Sequence, residues 1–157
     1  MATAHLIHGY LGAGKTTFAQ RLERDVGGVR FTPDEWMIRL FGEDPPAAIF
    51  QERAAAILEI MEPLWLWCLA LGIDVVLDYG LWRRTERDRA RRLASEAGAD
   101  AVLYSLCCEE EEALRRVRAR NADRSRKLYI APETFTLLKA RFETLEPDET
   151  AIFVPAP

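Results

Sequence analysis

The eight residues Gly9-Tyr10-Leu11-Gly12-Ala13-Gly14-Lys15-Thr16 fit the phosphate-binding pattern G-x-x-x-x-G-K-[ST] at every fixed position. Glycines let successive backbone N–H groups turn inward and approach a polyphosphate without Cβ clashes. A helix opening at Lys15 presents unpaired donors and its positive dipole end to the same anion. Gly9, Leu11, Gly12, Ala13, Gly14, Lys15, Thr16 and Thr17 are therefore expected to cradle the tail of a nucleoside triphosphate. Lys15 is expected to reach the β- and γ-phosphates, and Thr16 to offer its hydroxyl to Mg²⁺. An ordinary glycine turn with an exposed lysine is the alternative. The apolar stretch Ala4 to Ile7 before the pattern, and the amphipathic stretch from about Lys15 to Arg24 after it, weigh against that alternative.

Two acids stand where a nucleotide site needs them. Asp78 ends the apolar run Ile73-Asp74-Val75-Val76-Leu77, the position from which a carboxylate orients Mg²⁺ beside a phosphate loop. A helix cap or turn is the competing role; Asp74, inside the run, reads as a surface or cap residue. Asp34 follows a second extended segment. In an open parallel sheet the strands' carboxyl ends form the ligand crevice. A carboxylate there can take the proton of a hydroxyl that attacks the γ-phosphate. The competing role for Asp34 is a first-turn acid that complements the helix dipole, and Glu35 is its neighbour in reserve.

Arginines supply the third element. Arg116 and Arg120 are four apart and share a helix face, beside the polar segment that contains Arg124 and Arg126. Guanidiniums in such a place neutralise the charge of a transferring phosphoryl group. Arg120 and Arg124 are candidates for that catalytic role, and Arg116 and Arg120 for contact with the nucleotide. A solvated face paired with Glu109 to Glu112 is the alternative. Arg83 and Arg87, just after Asp78, are candidates to hold an acceptor, although Glu86 and Asp88 make their run read mainly as a salt-bridged surface. Trp36, Tyr79 and Trp82 are candidates to line the acceptor pocket, with core packing as the competing role. His5 and His8 lack partners at metal-ligand spacing and read as structural.

The chain has 157 residues, 49% apolar and 29% charged, the makeup of one globular domain. A net charge of −4 supplies no basic field for nucleic acid or anionic membrane. Cys68, Cys107 and Cys108 show no C-x-x-C spacing and read as reduced, buried thiols of a cytoplasmic protein. The first strand starts too early to leave room for a secretory leader, and the run Leu64 to Leu71 is too short to span a bilayer.

Helical and extended signals alternate throughout, which predicts a parallel sheet covered on both faces. Strands are expected at about 5–8, 29–32, 73–77, 101–107 and 151–154. Helices are expected at about 15–24, from Pro33 to Gly42, 47–71 with a break or kink at Pro63, 83–97, 109–120 and 132–143.

With these residues assembled, the whole chain resembles the small P-loop kinases grouped around zeta toxins, chloramphenicol phosphotransferase and the kinase domain of polynucleotide kinase. The likeness lies in the order of features: phosphate loop, Asp34 in Thr-Pro-Asp-Glu-Trp-Met, Asp78, Arg87, then Arg116 and Arg120 before a lid. It implies a three-layer, nucleoside-monophosphate-kinase-like α/β fold. The sheet would be five-stranded and parallel, in order 2-3-1-4-5, within a single domain over residues 1–157 and with a short lid at about 121–131. It also implies Asp34 as catalytic base, lid arginines at Arg120 with Arg116 or Arg124, and ATP with Mg²⁺. The expected reaction is transfer of the γ-phosphate to a hydroxyl of a small molecule. Rivals are a nucleotide-dependent binding protein or regulatory ATPase, a toxin-like nucleotide-sugar kinase and an antibiotic phosphotransferase. Met37 stands where polynucleotide kinases carry an arginine three residues after the base, so a nucleic-acid acceptor is not expected. The terminal helix that often helps hold adenine is missing after the last strand. No Asn/Thr-Lys-x-Asp guanine-recognition pattern occurs, which argues against a switch GTPase.

Overall fold

The computed structural model describes residues 1–123 and 128–155. Five parallel strands form one sheet in the order β2-β3-β1-β4-β5. They are β1 (Thr3–Gly9), β2 (Val29–Phe31), β3 (Val75–Gly80), β4 (Asp100–Leu106) and β5 (Ile152–Val154). The helices between them are α1 (Lys15–Val26), α2 (Pro33–Phe41), α3 (Ala47–Ala70), α4 (Arg84–Glu96), α5 (Glu110–Asp123) and α6 (Pro132–Lys139). The architecture and strand order are those the sequence implies: an α/β P-loop NTPase fold of the kinase type.

Strand periodicity sorts the core into layers. Ala4 and Leu6 of β1, with Val75 and Leu77 of β3, face α3 and α4 and bury against Ile57, Met61, Trp65, Ala90 and Ala94. Ile7 and Val76 point the other way and meet Ala19 on α1. A third cluster, Ala113, Val117 and Phe135, joins α5 to α6.

Several boundaries differ from expectation by a few residues, and three departures have a local reason. β3 starts at Val75 rather than Ile73 and runs on through Asp78 to Gly80. Ile73 is instead spent on closing α3: its N–H donates to the Cys68 carbonyl at 2.9 Å, past Gly72 at φ 78°. Asp74 then sits at the strand's entrance, where Oδ1 accepts the Thr3 N–H at 2.9 Å and Oδ2 lies 3.4 Å from His5 Nε2. α3 runs as one helix through Pro63. Pro63 and Glu59 both lie on the exposed side, so the carbonyl deprived of its donor is left to water. α6 stops at Lys139, because the chain must turn to place Phe142 flat against His8, with ring centroids 4.9 Å apart.

The segment after α6 carries the most demanding contact of the molecule. Arg87 of α4 is 0% exposed. Its Nε and Nη2 donate to Glu149 at 2.8 and 2.7 Å, and the Glu149 side chain is only 1% exposed. Nη1 donates to the carbonyls of Leu81, Trp82 and Glu143, and Nη2 also to that of Thr144. Arg87, a candidate acceptor contact in the sequence, is thus a structural cation with its donors consumed. The cysteines also depart from expectation: Cys107 is exposed and Cys68 and Cys108 are half-buried, all as free thiols.

Hydrogen bonds from Arg87 hold the Glu149 carboxyl down at about 2, against an ordinary value of 4.5. A carboxyl depressed on folding adds stability above its unfolded pKa and loses it as the pH falls towards its folded one. Wild-type urea midpoints are therefore expected to decline between about pH 4.5 and 2. Glu149→Gln strands a buried guanidinium and is expected to cost about 3–5 kcal/mol at pH 7. An unchanged urea midpoint in that variant would show that the pair is not what closes the fold.

Candidate active site

The phosphate loop forms because β1 ends at Gly9 and α1 begins at Lys15, with glycines at the two bends. Gly12 and Gly14 have φ of 77° and 89°, the left-handed region that favours glycine. Gly12 has a second reason to be glycine. A Cβ there would lie 2.5 Å from the Ala113 carbonyl oxygen, so loop and α5 meet backbone to backbone. Lys15 Nζ donates to the Tyr10 carbonyl at 2.8 Å, which holds the ammonium over its own loop.

An aromatic group supports the loop from behind. Trp82 Nε1 donates to the Gly9 carbonyl at 3.1 Å, and Tyr10 packs on Trp82, Phe135 and Phe142 with centroids 5.1–5.4 Å apart. The Tyr10 hydroxyl donates to the Phe135 carbonyl, and restricted hydration, with Glu110 nearby, pushes it up to about 12. Trp82 therefore braces the phosphate loop.

β3 lies beside β1 and delivers Asp78 to the loop. Thr16 Oγ1 donates to Asp78 Oδ2 at 3.0 Å, and Thr32 Oγ1 lies 3.5 Å from the same oxygen. Arg30 Nη1 stands 3.9 Å away, its guanidinium also tied to Glu23 and Glu35. A hydroxyl and a carboxylate side by side are hard oxygen donors, the set that suits Mg²⁺. Burial pushes the Asp78 carboxyl up, opposed by Lys15, the Thr16 hydrogen bond and Arg30.

Asp34 is fixed by the start of α2: Thr32 at the N-cap, Pro33 at the first helical position, then Asp34 and Glu35 in the first turn. Asp34 is exposed, with Lys15 and Arg120 as its charged neighbours. Thinned hydration pushes it up, while Lys15 and Arg120 pull the other way. Desolvation likewise pushes Lys15 down, resisted by Asp78 and Asp34. It pushes Arg120 down too, resisted by Asp34. Lys15, Asp34, Asp78 and Arg120 therefore share one electrostatic neighbourhood, although three come from different strand ends and the fourth from α5. Among the described residues, Arg120 Nε is buried without a hydrogen-bond partner, a vacancy that suits an anionic ligand.

Other expected contacts fall elsewhere. Adjacent strand residues face opposite ways, so Tyr79 points from Asp78 into the core beneath α3 and α4; its hydroxyl is pushed up by burial and by Glu62. Trp36 is half-buried against the same core and Arg83 is exposed at the start of α4. Arg116 Nε donates to Glu112 at 2.8 Å. Arg124 lies outside the described residues. His5 and His8 are structural: His8 Nδ1 donates to the Leu81 carbonyl at 3.0 Å, and His5 Nδ1 lies 3.1 Å from the Tyr104 hydroxyl. Arg30 went unforeseen, although an arginine between Val29 and Phe31 in a short strand was a signal. Tyr10 and Glu149 offered none.

Comparison with known proteins agrees with this fold. A family model described as an AAA domain matches residues 5–145. No curated protein matches significantly in sequence. Among solved structures, a Chloroflexus aurantiacus protein provisionally assigned as a kinase superposes with a TM-score of 0.79 at 16% identity, over 98% of this chain and 88% of that one. Chaetomium thermophilum Kti12, solved with ADP-AlF3, gives 0.71 at 17% identity, over 97% and 88%. A gluconokinase from Sinorhizobium meliloti 1021 gives 0.62 at 15% identity, over 98% and 82%. Among the described residues, no helix is long and apolar enough to cross a membrane.

Gly12→Ala places a methyl group against the Ala113 carbonyl in a left-handed backbone. We expect a loss of about 1–3 kcal/mol, and weaker nucleotide binding as α5 is pushed off the loop. Thermal unfolding and calorimetry with ADP check this; wild-type values in both would refute the close contact.

Proposed function

This chain belongs to the AAA domain family, and from that premise we propose that it is an ATP-dependent kinase that transfers the γ-phosphate to a hydroxyl of a small molecule. The observation that carries this reading is the convergence of Lys15, Asp34, Asp78 and Arg120 in one cleft, two cations and two anions under a phosphate loop. The fold it shares with a gluconokinase is consistent with such chemistry.

In this reading the amides from Leu11 to Thr17 hold the triphosphate, and Lys15 exchanges its bond to the Tyr10 carbonyl for the β- and γ-phosphates. Thr16 and Asp78 would hold Mg²⁺, which when bound offsets charge on the phosphate oxygens. Asp34 takes the proton of the acceptor hydroxyl while its oxygen bonds to the γ-phosphorus and ADP departs. The raised pKa of Asp34 makes it a better base than an ordinary carboxylate. Arg120, with Arg116 and Arg124 beside the lid, spreads the charge of the phosphoryl group in transfer. Such transfer requires little covalent help, so positioning and electrostatics carry the rate.

Within the P-loop kinases we place the chain with the zeta toxin, chloramphenicol phosphotransferase and polynucleotide kinase group, as a single cytoplasmic domain. Asp34 directly after β2 supports that placement. Trp36 and Arg83 remain on the acceptor side of the proposal. An exposed carboxylate poised beside the phosphate loop favours a kinase over a nucleotide-dependent binding protein.

Lys15→Ala is expected to lower ATP turnover at least about a hundredfold, by loss of nucleotide binding or of transition-state contact. Asp34→Asn is expected to keep ATP affinity and to lower kcat by about 10²–10⁴. A coupled assay of ADP release over a panel of sugars, nucleotide sugars and antibiotics measures both. Slow hydrolysis that no acceptor stimulates would overturn the kinase assignment.

A further inference from the structure

α3 is apolar round more of its circumference than the sheet can cover. Ile57, Met61, Trp65 and Leu69 form its buried stripe. Ile60, Leu64, Trp67 and Leu71 form a second stripe, about 110° round the helix at 100° per residue. All four are exposed, Trp67 at 63% and Leu71 at 64%. Their spacing of four, three and four residues is that of a helix-pairing seam. From residue 55 to residue 71 the only charged side chains are Glu59, which is exposed, and Glu62, which is half-buried and paired with Arg89. A helix of this kind is built to be buried on more than one face.

Beside the stripe lies a groove of about 500 Å³ between α3 and α4, lined by Leu66, Trp67 and Ala70 on one side and Leu93 and Ala97 on the other. Trp67 stands on its lip. A projecting indole and an apolar groove side by side on one face offer a self-complementary pattern, in which a two-fold axis would set each tryptophan against the other copy's groove. Isologous interfaces need that arrangement. The rim carries both signs, through the pairs Arg89–Glu62 at 2.6 Å and Arg92–Glu96 at 3.0 Å, so two copies approach without net repulsion. The area fits as well. Residues 56–71 extend about 22 Å along α3, and with the flank of α4 the face offers on the order of 600 Å² per copy, the lower range of specific interfaces.

We propose that the α3–α4 face joins two copies of this chain into a symmetric dimer with Trp67 as its central anchor. The site lies on the side of the sheet's helical layer, away from the phosphate loop, and the proposal does not depend on the kinase reading. Tryptophan at the centre of an apolar patch with a polar rim is the usual energetic focus of an interface.

Sedimentation equilibrium of the full chain from 1 to about 100 µM, a range set by the modest area, tests the idea. The wild-type protein is expected to approach twice its 17.9 kDa mass. Trp67→Glu is expected to raise the dissociation constant at least a hundredfold with the circular dichroism spectrum unchanged. If that variant does not fold, Leu71→Lys at the exposed end of α3 reads the same face. Leu137→Glu on α6, far from the stripe, is expected to leave association intact. A folded wild-type monomer at 100 µM overturns the proposal and leaves the face to a different protein. Dimers that survive both α3 substitutions overturn it equally.

Discussion

A guanidinium with no solvent contact sets the terms for the rest of the molecule. Taking such a charge out of water costs several kcal/mol unless every donor is met. Arg87 is met by one carboxylate and four carbonyls drawn from two segments. One segment is the turn that leaves β3, the other the irregular chain from residue 143 to residue 149. Joining them fixes Leu81 at its unusual φ of 44° and holds Trp82 under Gly9. The phosphate loop thus rests on a brace whose anchor is a residue with no contact to ligand.

Above that brace, the cleft gathers charge rather than dispersing it. Lys15, Asp34, Asp78 and Arg120 each lose hydration, and each is partly compensated by neighbours of opposite sign. In the kinase reading, every member has bonding capacity to exchange. Thr16 and Asp78 satisfy each other, Lys15 leans on a carbonyl, and Arg120 leaves a nitrogen unmatched. In the proposed kinase, a polyphosphate with its counter-ion would enter by replacing weak partners with stronger ones.

The sequence disclosed local features well and distant ones poorly. The phosphate loop, the Thr-Pro-Asp-Glu helix start and the alternation of strands and helices are encoded in neighbouring residues, and each formed where expected. Asp78 stands out because an acid at the end of an apolar run is rare, and it lies beside Thr16. Arg87 was misread because its partner lies 62 residues away and no local pattern marks Glu149 as buried. Tyr79 has two competing roles in the sequence, acceptor lining and core packing, and it is the extension of β3 to Gly80 that sets it against the core. Trp82 reads from sequence as an aromatic near a cleft, and only the loop's own geometry shows what it supports.

Gly12 leads to a last point. Because it meets Ala113 with nothing between the two main chains, the loop and α5 have no compliant layer of side chains to absorb relative motion. Any rotation that carries Arg120 towards or away from the cleft must slide over that point, as a shaft turns on its bearing. In the proposed kinase, gripping of the phosphates and any swing of the arginine would then be one mechanical event, geared together by an atom that is absent.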